Sequence, residues 1–214
     1  MKFYMTPGSC STGIHILLEE IGLLFEVHPV DLLAGDQLSE TYLAINPKGT
    51  IPTLVREDGR ALTDFLSIAW WLARSYPKQG LLPQTPDEEA MVLEVMSYAV
   101  HTLHGEGFAR IFVSGRFAVR EADHERIKQQ GLEILQKGFA VVDRWLAGKD
   151  YVTGRFGIAD AALFYVAFWA DKTDVALPPN YHAHYLRMLE RPVVRQVLME
   201  EGYGRATSGG HSLS

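Results

Sequence analysis

The chain has 214 residues, with 47% hydrophobic and 21% charged side chains, which is the balance of a packed globular protein and excludes a disordered one. Its formal net charge is -6, and no lysine or arginine run stands out, so nucleic acid is excluded as a main partner. A single cysteine excludes an internal disulfide and fits a reducing, cytoplasmic setting.

The first stretch organises the rest. Residues 2–5 read as a short strand, and Thr6-Pro7-Gly8-Ser9 has turn chemistry. From about Cys10 the pattern becomes helical, with Ile14, Leu17, Leu18 and Ile21 on one face. The lone cysteine therefore sits where a helix begins, beside unpaired N–H groups and the positive end of the helix dipole. Such a position lowers a thiol's pKa, and the thiolate is the reactive form; the alternative is a small buried hydrophobe. Ser11 is either a hydrogen-bond donor to that thiolate or an ordinary first-turn residue.

Residues 25–32 alternate enough for a second strand, which Pro29 confines to an edge. Residues 33–43 are polar and loosely helical. A loop with Pro47 and Pro52 leads to a strand at 53–56, an Asp-Gly hairpin turn and a partner strand at 61–63. Thr63 or Asp64 can cap the following helix, 65–75. Strands and helices in this order make a small α/β layer.

Residues 76–87 hold four prolines and glycines and read as a linker. The boundaries drawn are 1–78 for the first domain, 79–88 for the linker and 89–214 for an all-helical domain. Residues 91–103 repeat at 3.6-residue spacing without a lapse, and 127–146 mark another helix ending near Gly148. Residues 158–170 are apolar all round, as in a central buried helix, whose Asp160 serves as a structural cap worth about 1 kcal/mol. A last helix spans 192–201, and 206–214 read as a small polar tail. Nothing at the start reads as a secretory signal, and the longest apolar run, 161–170, is too short to span a bilayer.

Four segments carry a resemblance to a known family. Thr6-Pro7-Gly8-Ser9-Cys10-Ser11, then Leu43-Ala44-Ile45-Asn46-Pro47-Lys48-Gly49 with Ile51-Pro52, then Leu62-Thr63-Asp64 with Ile68-Ala69, and Gly157-Ile158-Ala159-Asp160-Ala161 resemble the cytosolic glutathione transferases, most of all the bacterial beta class. The resemblance implies an α/β thioredoxin-like N-terminal domain plus an all-α C-terminal domain, with glutathione as co-substrate. It implies a cis bond before Pro52 and pairing of the Ile51 backbone with glutathione's cysteinyl group. The γ-glutamyl end falls to Asp64 and Phe65, and Cys10, Ser11 and His104 are the implied catalytic residues. A homodimeric detoxifying transferase is expected, taking a small apolar electrophile. Conjugation and Cys10-based thiol–disulfide exchange both remain open, and a non-catalytic ligand-binding or partner scaffold is the alternative. Phe108, Phe112 and Phe117 either line an apolar substrate pocket or pack helices. Tyr4 is read as strand core. His182 and His184 are read as surface residues. No metal site is expected, since His101 and His104 lack a third ligand.

Overall fold

The computed structural model describes residues 1–204; the tail expected at 206–214 lies outside them. The chain forms two compact units, one of residues 1–82 with 189–204 and the other Pro83–Met188.

The first unit is built on a four-stranded sheet in the order β2-β1-β3-β4, from β1 (Lys2–Met5), β2 (Glu26–Pro29), β3 (Thr53–Val55) and β4 (Ala61–Leu62). β1 runs parallel to β2 and antiparallel to β3, with Phe3 opposite Val27 on one side and Leu54 on the other. Phe3 and Met5 point into the core, while Tyr4 is only half-buried on the other face, where it stacks on His28. Pro29 ends an edge strand, where its missing N–H costs the ladder least. Helices α1 (Ser11–Ile21) and α3 (Phe65–Ser75) bury Ile14, Leu17, Leu18, Ile68, Ala69 and Leu72. The weak helical pattern near residue 40 condenses into one turn, α2 (Glu40–Leu43), capped by Ser39.

The second unit is helical: α4 (Pro86–Ser97), a π-helix (Tyr98–Phe108), α5 (Ala109–Phe112), α6 (His124–Leu146), α7 (Ile158–Lys172) and α8 (Pro179–Glu190). α7 is buried over residues 158–170, as its unbroken apolar sequence requires. The unbroken 3.6-residue spacing predicts an α-helix through Leu103, but the ladder widens to π winding from Tyr98. This stretch lies tight against α6, where a Cβ on Gly107 would come within 2.5 Å of Leu135 and one on Gly138 within 2.3 Å of Leu103. Side-chain polarity does not register such backbone approach.

Two readings are corrected. His184 is not a surface residue: it is fully buried on α8 and binds Asp160 at 2.9 Å. α8 itself carries Tyr181, His184, Tyr185 and Met188 on its buried face, a helical spacing masked by the two histidines. The last helix, α9 (Pro192–Glu200), groups with the first unit rather than with the helices preceding it. Side chains explain this: Arg191 pairs with Glu20, and Gln196 donates to Glu19 at 3.2 Å.

Candidate active site

The turn between β1 and α1 is pinned from both sides. Gly8 takes φ 71°, a left-handed backbone that glycine adopts without strain, and the Tyr203 hydroxyl occupies the space a side chain there would need. Ser11 Oγ accepts the Thr6 N–H at 3.1 Å and donates to Thr6 O at 3.0 Å. Ser9 Oγ accepts the Ser11 N–H at 3.1 Å, and Thr6 Oγ1 donates to Val30 O at 2.6 Å. The Ser11 hydroxyl is therefore spent on closing the turn, and its one proton goes to a backbone carbonyl. Of the two readings of Ser11, donor to a Cys10 thiolate or ordinary first-turn residue, these hydrogen bonds fit the second.

Cys10 stands at the N-cap of α1 and is 6% exposed. Its Sγ lies 3.8 Å from the Ile51 carbonyl oxygen, to which the thiol proton points. The expected lowering of its pKa is overturned. Burial pushes the thiol up to about 12, aided by the negative charge of Asp64, and the N–H groups of Cys10 and Ser11 offset only part of this. Desolvation of a thiolate outweighs the helix dipole here.

Across from Cys10 the Ile51-Pro52 bond is cis, as the loop motif implies. What fixes this loop escaped the sequence reading. Asn46, 1% exposed, donates from Nδ2 to Thr50 O at 2.7 Å and to Thr53 Oγ1 at 3.0 Å, while Tyr42 donates to Thr50 O at 2.6 Å. Among the described residues no acceptor meets the Ile51 N–H.

Asp64 caps α3, its Oδ1 accepting the Leu66 N–H at 3.2 Å, and its carboxylate is exposed. The Thr63-Asp64 peptide is also cis. Phe65 is 2% exposed, so its ring is core, and only its backbone stands at the helix start. Cys10, Ile51, Pro52, Asp64 and Phe65 all belong to the first unit.

His104 lies in the second unit, on the π-helix. Its Nδ1 shares a 3.4 Å hydrogen bond with the Tyr165 hydroxyl, and its ring meets Trp169 edge-on at 4.8 Å. Burial, then the neighbouring His101, lowers its pKa to about 4, so the ring is neutral. Phe108 is fully buried and stacks on Phe112, which is 49% exposed; Phe117 is 38% exposed beneath Arg110. Phe108 is thus packing, while Phe112 keeps an accessible apolar face.

With this geometry in view, the comparisons with known proteins agree. The family model for the glutathione S-transferase N-terminal domain matches residues 8–75, and that for the C-terminal domain matches 118–187. The chain is 35% identical over 207 residues to glutathione S-transferase GstA of Escherichia coli O157:H7, covering 94% of this chain and 99% of that one. The chain belongs to the glutathione S-transferase family. A Sulfitobacter glutathione transferase homologue, solved with bound glutathione, superposes with a TM-score of 0.86 at 29% identity, covering 94% of this chain and 98% of the other. The beta class transferase of Sphingomonas chungbukensis gives a TM-score of 0.80 at 27% identity over 95% of this chain and all of its own. Among the described residues of this transferase, no helix is long and apolar enough to cross a membrane.

Proposed function

We propose that this transferase binds glutathione against Ile51 and the start of α3, and conjugates it to an apolar electrophile with Cys10 acting as a protonated thiol. The chain is a glutathione transferase, and glutathione is its co-substrate. The observation that carries the role of Cys10 is a buried sulfur 3.8 Å from the carbonyl of the cis Ile51-Pro52 bond, and that burial favours the thiol over the thiolate.

The residues present suit the tripeptide. The Ile51 N–H has no acceptor of its own among the described residues, so it is available to an extended cysteinyl backbone. The exposed Asp64 carboxylate can meet the γ-glutamyl ammonium. Phe65 contributes its backbone alone, since its ring is buried. On binding, the Cys10 S–H turns from the Ile51 carbonyl to the sulfur of glutathione and favours its thiolate, the glutathione proton leaving to solvent. That thiolate attacks the electrophilic carbon, a C–S bond forms, and the leaving group departs with its electron pair.

Thiol–disulfide exchange by Cys10 asks for a thiolate, which burial opposes. His104 is assigned as a neutral hydrogen-bonding group; its ring and that of the half-exposed Phe112 both pack edge-on against Trp169, an environment suited to an apolar electrophile. Homodimeric assembly and a cytoplasmic, detoxifying role belong to the same reading, supported by family membership; a lone cysteine, which cannot form an internal disulfide, fits a reducing setting.

Incubation with oxidised glutathione followed by intact-mass measurement tests this, beside calorimetry with glutathione and turnover of an activated aryl chloride. The expected result is submillimolar glutathione binding, conjugating turnover and no adduct on Cys10. A stoichiometric mixed disulfide overturns the protonated-thiol role, and an absence of binding at millimolar glutathione favours the scaffold.

A further inference from the structure

The seam between α1 and α9 gathers groups for which glutathione chemistry has no use. His15 on α1 is 3% exposed, Glu19 stands one turn further along the same helix, and Glu200 closes α9. One ligand atom from each of these three lies within 4.8 Å of the others. His15 Nε2 is 3.3 Å from Glu200 Oε2, and Gln196 Nε2 holds both carboxylates, at 3.2 Å from Glu19 and 2.9 Å from Glu200.

A fourth group, outside that set, fixes which nitrogen is offered. Glu201 Oε1 lies 2.9 Å from His15 Nδ1, and its Oε2 accepts the Gly8 N–H at 2.8 Å and the Thr12 hydroxyl at 2.7 Å. A carboxylate accepts only, so the proton resides on Nδ1. The other ring nitrogen, Nε2, is aimed at the Glu200 carboxylate. Two acceptors facing each other at 3.3 Å repel unless positive charge lies between them. Either a second proton or a metal ion supplies it. A proton would serve His15 and Glu200 alone, whereas Glu19 brings a third ligand atom within 4.8 Å of the other two, as an ion would use. The 3.3 Å separation is also close to the edge, about 3.4 Å, of a tetrahedron with bonds near 2.1 Å.

We propose that His15, Glu19 and Glu200 form a divalent-metal site, with Glu201 as the carboxylate behind the imidazole. A histidine whose far N–H is held by a carboxylate is the usual arrangement of a ligating imidazole. One nitrogen and two carboxylates, completed by water, suit zinc and its transition-metal neighbours better than magnesium or calcium, which take oxygen alone. Glu200 is 45% exposed, which gives the ion a way in from solvent. A bound ion ties α1, and so the turn bearing Cys10, to α9.

Tag-free protein is titrated with Zn²⁺ by calorimetry and with Co²⁺ by visible absorption, for the native chain and for the double variant Glu19→Gln/Glu200→Gln. One ion per chain with micromolar affinity is expected, without thiolate-to-cobalt charge transfer, which separates this site from Cys10. The double variant should bind at least about tenfold more weakly, as loss of even an outer partner does. The native melting midpoint should rise by several degrees with Zn²⁺, and that of the variant should not. No binding at 100-fold excess ion, equal binding by the variant, or a cobalt–thiolate band overturns the site and leaves His15 as a structural link between Glu200 and Glu201.

Discussion

Glu201 accepts the backbone N–H of Gly8 at 2.8 Å, although the two stand 193 residues apart. The same carboxylate takes Thr12 Oγ1 and His15 Nδ1, so the turn before Cys10 and the first two turns of α1 hang on one buried side chain near the chain's end. Glu201→Gln keeps the shape but replaces one acceptor oxygen with a donor, leaving either the Gly8 and Thr12 donors or the His15 N–H unmatched. A loss of about 3 kcal/mol is expected, measured from urea unfolding midpoints. Thr12→Val, which removes one of the donors, should cost about 1 kcal/mol.

A second expectation concerns Cys10 itself. Burial holds its pKa at about 12, so in the free protein at pH 8 the thiolate fraction is about one in ten thousand. Alkylation by iodoacetamide should be far slower than for an exposed cysteine, whose pKa is near 8.5. The rate should still be climbing at pH 10, with no inflection between pH 7 and 9. An inflection in that window would mean that the helix dipole, rather than desolvation, governs the sulfur.

The contrast shows what the sequence carried and what it did not. The strand, turn and helix around Cys10, the edge position of β2 and the buried α7 were legible because each leaves a local signal: a Pro-Gly turn, a proline in a strand, an unbroken apolar run. The protonation state of Cys10 was not legible, since it depends on how deeply folding buries the sulfur and on the charge of Asp64 brought near it. Ser11 looked like a partner for the thiol because the two are adjacent, yet its hydroxyl is consumed by Thr6. Asn46 lay inside a recognised motif, but its work of holding Thr50 and Thr53 appears only once the loop folds back. Glu201 gave no signal at all: one acid among several at the end of an amphipathic helix.

His104 makes the protein sensitive to acid. Its pKa is about 4 in the folded chain, against about 6.5 when unfolded. The unfolded state therefore takes up a proton first as pH falls. Stability from this group is complete above pH 6.5 and is lost between there and pH 4, to a total of about 3 kcal/mol. His104→Phe should flatten the fall in urea midpoint between pH 6.5 and 4. In the native protein, the His104 ring resonances should not titrate between pH 8 and 5.5.

The strongest stability effect is expected at Asp160. As a cap alone it would be worth about 1 kcal/mol. Its buried carboxylate, however, accepts the Gly157 N–H, the Val152 N–H and His184 Nε2, each at 2.9 Å. Asp160→Ala strands three buried donors and opens a void, for about 4 kcal/mol. His184 is the more expendable partner, because its Nδ1 already finds no partner among the described residues. His184→Phe removes that orphan together with the bond to Asp160, so its cost should stay near 1–2 kcal/mol. Once Asp160 is gone, His184 has lost the one acceptor it has among the described residues, and replacing it by Phe should cost little or even stabilise. A double-mutant cycle on chemical unfolding should thus return a coupling of about 1–3 kcal/mol. Simple additivity would mean that the imidazole contributes to the fold of the second unit by packing alone.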